Sequence, residues 1–402
     1  MTRKRVVITG LGSVCALGPD SDAIWRAMQE GKCGLGPLGF DRRDLKTDLG
    51  GEIDSFDDSA IDPKIRPSMA RVSDLAVISS AEAMANSALA PGSFNPDRAG
   101  AIVGVAVWGS DAVDQAYIDV FLEGKKRANI LTVPQAMPGA AAGHVSMHFN
   151  LRAPVFGLTS ACASSNHAIS AAVDQIRLGR ADIMLAGGAD TPMTYGIVKV
   201  WETMRVLARA ACRPFSADRD GLVLADGAGI AVLEEYEHAK ARGAPILAEV
   251  AGCGSSADAT DIVSPSVEGP AAAMQACLEE AGLNAADIGY INAHGTGTKA
   301  NDRIETQAIH SVFGAHAGNL SVSSTKSMHG HALGASGAIE LIACVNALNH
   351  GVIPPTIGYN TADPECDLDV TPNKAVERKV DAVISNAFAF GGMNSVIALT
   401  KV

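Results

Sequence analysis

Thr159-Ser160-Ala161-Cys162-Ala163-Ser164-Ser165-Asn166-His167-Ala168-Ile169 places one cysteine in a run of small residues, where an apolar strand can turn sharply. From Asn166 to Arg177 the apolar residues Ile169, Ala172, Val173 and Ile176 recur at helical spacing, so a helix follows the turn. Strand, tight turn and helix in succession are the repeating unit of an α/β protein. Cys162 then opens the helix. Free N–H groups and the macrodipole at a helix N-terminus favour a thiolate, which predicts a lowered thiol pKa and a nucleophile near neutral pH. For Cys162 taken alone, a buried structural cysteine is the other reading.

Two histidines weigh against that structural reading. Tyr290-Ile291-Asn292-Ala293-His294-Gly295-Thr296-Gly297-Thr298 reads as a strand ending in a Gly/Thr-rich turn. His294 then sits at the strand's carboxyl end, where open α/β folds bind ligands. Ser323-Ser324-Thr325-Lys326-Ser327-Met328-His329-Gly330-His331-Ala332-Leu333-Gly334 repeats the design of strand, loop and helix start. Polar residues on such glycine-flanked loops carry function more often than packing. One cysteine with two histidines of this kind points to acyl transfer through a covalent thioester. A mononuclear zinc site built from Cys162, His294 and His331 is the rival chemistry. The long separations and the lack of clustered ligands argue against it, and no metal is expected.

The 402 residues carry a net charge of −12, which argues against a nucleic-acid binder, because a phosphate backbone needs a basic footprint. Met1-Thr2-Arg3-Lys4-Arg5 is basic but leads straight into a strand, and no long apolar segment follows. Neither a signal peptide nor a membrane span is expected, and the expected compartment is the cytoplasm. Cys15, Cys33, Cys162, Cys212, Cys253, Cys277, Cys344 and Cys366 form no Cys-x-x-Cys pair, so reduced thiols are expected rather than disulfides or structural zinc. Gly10-Leu11-Gly12 after the first strand invites a dinucleotide fingerprint, but the third glycine of that motif falls on Cys15. No cofactor is expected.

With these segments in view, the chain resembles the β-ketoacyl-[acyl-carrier-protein] synthases of the elongating class, which carry a Cys-His-His triad. The likeness begins at Arg5-Val6-Val7-Ile8-Thr9-Gly10-Leu11-Gly12 and continues through Arg213-Pro214-Phe215-Ser216-Ala217-Asp218-Arg219-Asp220-Gly221. It ends at Ser385-Asn386-Ala387-Phe388-Ala389-Phe390-Gly391-Gly392-Met393-Asn394. Lys299-Ala300-Asn301-Asp302 with Glu305-Thr306, together with Ala389 and Met393, resemble the family's nodulation branch, found in rhizobia.

The resemblance implies a thiolase fold, with duplicated α/β halves in a five-layered α-β-α-β-α arrangement. It implies decarboxylative Claisen condensation of a Cys162-bound acyl chain with malonyl-[acyl-carrier-protein], giving the 3-oxoacyl product of fatty acid elongation. His294 and His331 would act as neutral rings that stabilise the enolate. The backbone N–H groups of Cys162 and Phe390 would form the oxyanion hole. Lys326 would organise the site by pairing with Glu340. The family pattern selects His331 and leaves His329 as a substitution at a variable position. Asp302 and Glu305 share one helix face, as support for the site or as a solvated helix start. Trp201 would line the acyl pocket and Phe390 would gate it, with Ala389 stiffening the loop Ala387 to Asn394. Lys64, Arg66, Lys125, Lys126 and Arg127 resemble the surface that docks the acidic acyl carrier protein. A homodimer is implied, with acyl pockets near its interface.

Three other functions stand beside this one. A coenzyme A thiolase would need a second cysteine near the C-terminus, and none follows Cys366. A non-catalytic chain-length partner would lack the nucleophile, which Cys162 supplies. A specialised synthase for an unusual acyl chain, of nodulation-factor or very long chain lipid type, fits the nodulation-like residues. The expected halves are residues 1–244, with the nucleophile, and 245–402, with both histidines and the gating loop. No internal repeat is legible.

Overall fold

The computed structural model describes residues 3–402. Its main sheet holds ten strands: β1 (Val6–Cys15), β2 (Ala99–Gly104), β3 (Val155–Leu158), β4 (Ile183–Asp190), β5 (Gly227–Glu235), β6 (Ala248–Ala257), β7 (Tyr290–Asn292), β8 (Ser321–Ser323), β9 (Ala382–Ala389) and β10 (Met393–Thr400). They hydrogen-bond in the order β8-β7-β9-β10-β6-β1-β5-β4-β2-β3. The middle junction, between β1 and β6, is narrow: Val7 pairs with Glu249 and Ile8 with Ala248.

Each side of that junction has the same topology. From the outer edge inward, the strands of either side follow the chain order third, second, fourth, fifth, first. The first strand pairs antiparallel with the fifth and the fifth with the fourth; the second pairs parallel with the fourth and with the third. Parallel pairs need crossover helices, and these build the layers.

Eight helices frame the site: α1 (Ser21–Glu30), α2 (Arg71–Asn86), α3 (Ala140–Phe149), α4 (Ser164–Arg177), α5 (Tyr195–Thr203), α6 (Glu268–Ala281), α7 (Lys299–Phe313) and α8 (Ser336–His350). α2 and α3 cover the outer face of the first five strands, and α6 backed by α7 covers that of the second five. α4 and α8 lie between, touching strands of both halves, which completes the five layers of a thiolase fold. Their apolar faces make the central core, with Ile169, Val173 and Ile176 of α4 and Ile339, Ile342 and Leu348 of α8 buried together. Such burial stabilises each large side chain by about 1.5–3 kcal/mol.

Gly10-Leu11-Gly12 lies inside β1 rather than at a cofactor turn. A Cβ on Gly10 would fall 2.2 Å from the Ala83 carbonyl oxygen, so the glycine serves close packing of β1 on α2. The helix expected to start by Gly334 begins at Ser336, after a 3-10 turn over Leu333–Ala335 that starts with a positive φ of 45° at Leu333.

Candidate active site

β3 ends at Leu158, and Ala161 takes a φ of 48°, a region that residues with a Cβ seldom occupy. One 3-10 turn over Ala161–Ala163 follows before α4 begins at Ser164. Ser164 Oγ accepts from the Ser160 N–H at 2.9 Å and donates to the Ala161 carbonyl at 2.7 Å, which fixes the turn. Cys162 therefore stands two residues ahead of the α-helix.

His331 brings Nε2 to 3.1 Å from the Cys162 sulfur, and its Nδ1 lies 2.9 Å from Ser336 Oγ. The His294 and His331 rings face each other edge-on with centroids 5.5 Å apart. Glu305 holds the His294 loop, its two oxygens accepting the His294 N–H at 2.8 Å and the Gly295 N–H at 2.7 Å. Asp302 accepts from the Phe215 N–H at 2.8 Å and the Gly297 N–H at 3.2 Å. Both carboxylates are fully buried, so they are not a solvated helix start. Lys326 donates to the His294 carbonyl at 2.7 Å and pairs with Glu340, and this ion pair is also fully buried. His329 turns inward to Thr325 Oγ1 at 3.1 Å and does not line the cavity beside Cys162.

The electrostatics reverse one expectation. Burial pushes the Cys162 thiol up to about 12, with the Lys326 charge pulling the other way. A thiolate here loses its hydration, and the partial charge of a helix end does not offset that loss. Burial also holds both imidazoles well below their ordinary range, and the Lys326 charge adds to the effect. Burial takes His329 down to about 3. At rest the pair is therefore a thiol in contact with a neutral imidazole.

The sulfur and a nitrogen of each imidazole lie within 4.8 Å of one another, so the argument against zinc from unclustered ligands does not hold. The Lys326 charge, which acts on all three of these groups, opposes a second cation there. Asp190, at the end of β4, was not anticipated from sequence. Its oxygens accept from the N–H groups of Ala106 at 2.8 Å, Val107 at 2.9 Å and Gly334 at 2.7 Å, tying the loop after β2 to the turn that carries His331. Burial raises this carboxyl to about 7 against the pull of those donors. The available signal was one acidic residue closing the apolar run Ile183–Asp190.

A cavity of about 150 Å³ opens onto the triad, lined by Cys162, His294, His331, Trp201, Phe388 and Phe390 among others. Trp201, on α5, stacks on Phe390 with ring centroids 5.8 Å apart. The expected gating loop Ala387 to Asn394 is mostly a hairpin. Ala389 pairs with Met393, and the turn is confined to Phe390, Gly391 and Gly392, whose glycines supply φ values of 83° and 65°. Ala389 is extended, so it needs no glycine-like freedom. Gly391 N–H donates to the Ile262 carbonyl at 2.8 Å, which fastens the turn to a neighbouring loop. Among the described residues neither the Cys162 nor the Phe390 N–H has a protein acceptor.

The basic residues divide. Lys64, Lys126 and Arg127 are exposed and form no ion pair among the described residues. Arg66 is held by Asp58 and by Asp74 at 3.2 Å, and Lys125 by Asp119 at 3.0 Å and Glu123 at 2.9 Å, so their charges are largely answered within the chain.

The duplicated thiolase fold with a thiol and two neutral imidazoles at one cavity defines a condensing enzyme that works through an acyl thioester. The chain belongs to the beta-ketoacyl synthase family: the N-terminal domain of that family matches residues 3–239 and the C-terminal domain residues 247–360. It is 58% identical to nodulation protein E of Rhizobium sp. (strain N33), over 99% of this chain and 100% of that protein. It is 37% identical to 3-oxoacyl-[acyl-carrier-protein] synthase 2 of Staphylococcus aureus (strain COL), over 99% of this chain and 98% of that one. Among solved structures, the ishigamide ketosynthase/chain length factor superposes with a TM-score of 0.95 at 33% identity, over the full length of both chains. No described helix is long and apolar enough to cross a membrane.

Proposed function

We propose that this chain condenses an acyl group held on Cys162 with malonyl-[acyl-carrier-protein], releasing carbon dioxide and giving 3-oxoacyl-[acyl-carrier-protein]. The observation that carries the reading is the 3.1 Å contact between the Cys162 sulfur and a neutral His331, beside His294, at one apolar cavity. Cys162 takes the acyl group from its carrier as a thioester, splitting one difficult reaction into two. Malonyl thioester then loses carbon dioxide while the two imidazoles stabilise the enolate oxygen. The enolate carbon attacks the acyl carbon, the Cys162 and Phe390 N–H groups receive the developing oxyanion, and the Cys162 sulfur leaves. Lys326 with Glu340 and Glu305 with Asp302 hold the histidine loops in place.

Acyl carrier protein is the partner, with Lys64, Lys126 and Arg127 as free basic contacts and Arg66 and Lys125 in weaker roles. A homodimer accounts for the unpaired edge of β3 and for Phe121, Ile130 and Val133, which are exposed on the nearby segment. The halves 1–244 and 245–402 and a cytoplasmic location complete the proposal. The whole-chain likeness to nodulation protein E favours a specialised acyl chain over housekeeping lipid. Intact mass after incubation with acyl-carrier substrate tests the core claim. Wild type should gain one acyl group and Cys162→Ala none; acylation of the variant would refute the assignment.

A further inference from the structure

The two active-site histidines differ at Nδ1. That of His294 is buried with no partner among the described residues, whereas that of His331 meets the Ser336 hydroxyl at 2.9 Å, with both side chains buried. A buried N–H with no acceptor costs more than a buried lone pair with no donor. His294 therefore keeps its proton on Nε2 and serves as a donor alone. His331 is under no such restriction, because a hydroxyl both donates and accepts by rotating about its C–O bond.

The proposed reaction asks two different things of His331. Loading needs a lone pair on Nε2 to receive the Cys162 proton, since burial keeps that group a thiol. Decarboxylation needs a proton on Nε2 to donate to the enolate oxygen. We propose that Ser336 is a positioning residue that lets His331 change tautomer between these half-reactions, an inference that rests on Cys162 being the acylated nucleophile.

In the first state Nδ1–H donates to Ser336 Oγ and the Nε2 lone pair faces the thiol. As the sulfur bonds the acyl carbon, the thiol proton moves to Nε2 and then to the departing carrier sulfur, so acyl thioester and thiol become acyl-Cys162 and carrier thiol. In the second state the Ser336 hydroxyl donates to Nδ1 and the ring proton sits on Nε2. Between the states one proton leaves Nδ1 and one arrives at Nε2, exchanged with water that enters as the carrier thiol departs. Ser336 also begins α8, and its Oγ is free for the ring because Ala335 rather than Ser336 is the helix cap.

The two half-reactions can be followed separately, loading by intact mass and decarboxylation by carbon dioxide release, in wild type, Ser336→Ala and Ser336→Thr. In Ser336→Ala the Nδ1 proton has no acceptor, so His331 is held in the Nε2–H form. Loading should slow about tenfold or more with the KM for acyl donor unchanged. Decarboxylation should stay near wild type, and Ser336→Thr should restore loading. Nitrogen-15 spectra should show His331 as Nδ1–H in the resting wild type and as Nε2–H in Ser336→Ala. Equal losses in both half-reactions, unchanged loading, or an Nε2–H tautomer in the resting wild type would overturn the role of Ser336. A wild-type enzyme that never acylates Cys162 would overturn both this inference and the reading beneath it.

Discussion

The first five strands and the second five share one topology but hold different chemistry at equivalent turns. β3, third in its half, leads to the turn with Cys162, and β8, third in the other, leads to the turn with Lys326 and His331. Both turns enter their helix alike, through the 3-10 turns Ala161–Ala163 and Leu333–Ala335 and then Ser164 or Ser336. Each 3-10 turn begins with a positive φ, 48° at Ala161 and 45° at Leu333. On that alignment Ala161-Cys162-Ala163-Ser164-Ser165 matches Leu333-Gly334-Ala335-Ser336-Gly337, and the nucleophile's counterpart is Gly334. A Cβ at Gly334 would lie 2.6 Å from Asp190 Oδ2, so the second turn has no room for a side chain there. The fourth-to-fifth strand connections diverge as well. One is the three-residue turn with Phe390 and the other a long excursion with Trp201, yet the two rings meet over the cavity. Duplication thus sets two similar turns face to face, and the division of labour between them makes a site that neither half holds alone.

The sharpest break in that division is removal of the buried charge on the second turn. Lys326→Met leaves Glu340 buried without its cation, which should destabilise the chain by about 3–5 kcal/mol. Adding Glu340→Leu should recover most of the stability and none of the condensing activity. Urea unfolding of the single and double variants measures this, and a single-variant loss under about 1 kcal/mol would show that the pair is not the anchor of this turn.

The two histidines give the next contrast. His294→Ala and His331→Ala should each lower decarboxylation on the order of 10²- to 10³-fold, because each removes one donor to the enolate. Only His331→Ala should also slow loading, since His331 alone contacts the sulfur at hydrogen-bond distance. His329→Ala should leave both steps intact. Loss of loading in His294→Ala, or a defect in His329→Ala, would redraw the site.

A pH profile sharpens the reading of the first turn. The Cys162 thiol is raised from its ordinary 9.0 to about 12, so the proton-bound form is favoured in the fold and the thiolate grows only as pH climbs toward that value. Alkylation of Cys162 by iodoacetamide should then rise about tenfold per pH unit across about pH 7–10 with no plateau. A plateau near neutrality would restore activation by the helix terminus.

Sequence displayed the three reacting groups because each sits in a local pattern, a strand running into a glycine-rich or small-residue turn, and such patterns are set by near neighbours. It did not display what depends on the other half. The repeat lies in strand order, in the helices that cover each half and in the two paired turns, and strand order leaves no trace in residue identity. The thiol's pKa follows from burial by both halves, so a reading of the helix start alone took the wrong sign. Asp190 and Ser336 were missed for the same reason, since their partners Gly334 and His331 acquire meaning only once the sheets are stacked. Arg66 and Lys125 looked free because an exposed cation and an ion-paired one share a letter. Their acids, Asp58, Asp74, Asp119 and Glu123, lie within eight residues and could have been weighed.

The smallest expected effects lie at the two connections that meet over the cavity. Trp201→Ala removes the ring stacked on Phe390, a contact worth about 0.5–1.5 kcal/mol beyond its burial, and widens the cavity. The preferred acyl chain should lengthen. Ala389 is extended and paired with Met393, so Ala389→Gly acts by weakening the last strand pair before the turn, at about 0.5–1 kcal/mol, rather than by relieving strain. A looser hairpin end lets Phe390 move with less resistance, although Gly391 remains fastened to the Ile262 carbonyl. The range of accepted lengths should broaden slightly while the maximum stays put. Rates of Cys162 acylation across a series of acyl-carrier substrates separate the two outcomes, because a shifted optimum and a widened profile differ in shape. If both variants keep the parent profile while still releasing carbon dioxide from malonyl thioester, selectivity is set by other residues packed in the same cluster as Cys162, such as Val107 and Val198, and the two connections merely close the cavity.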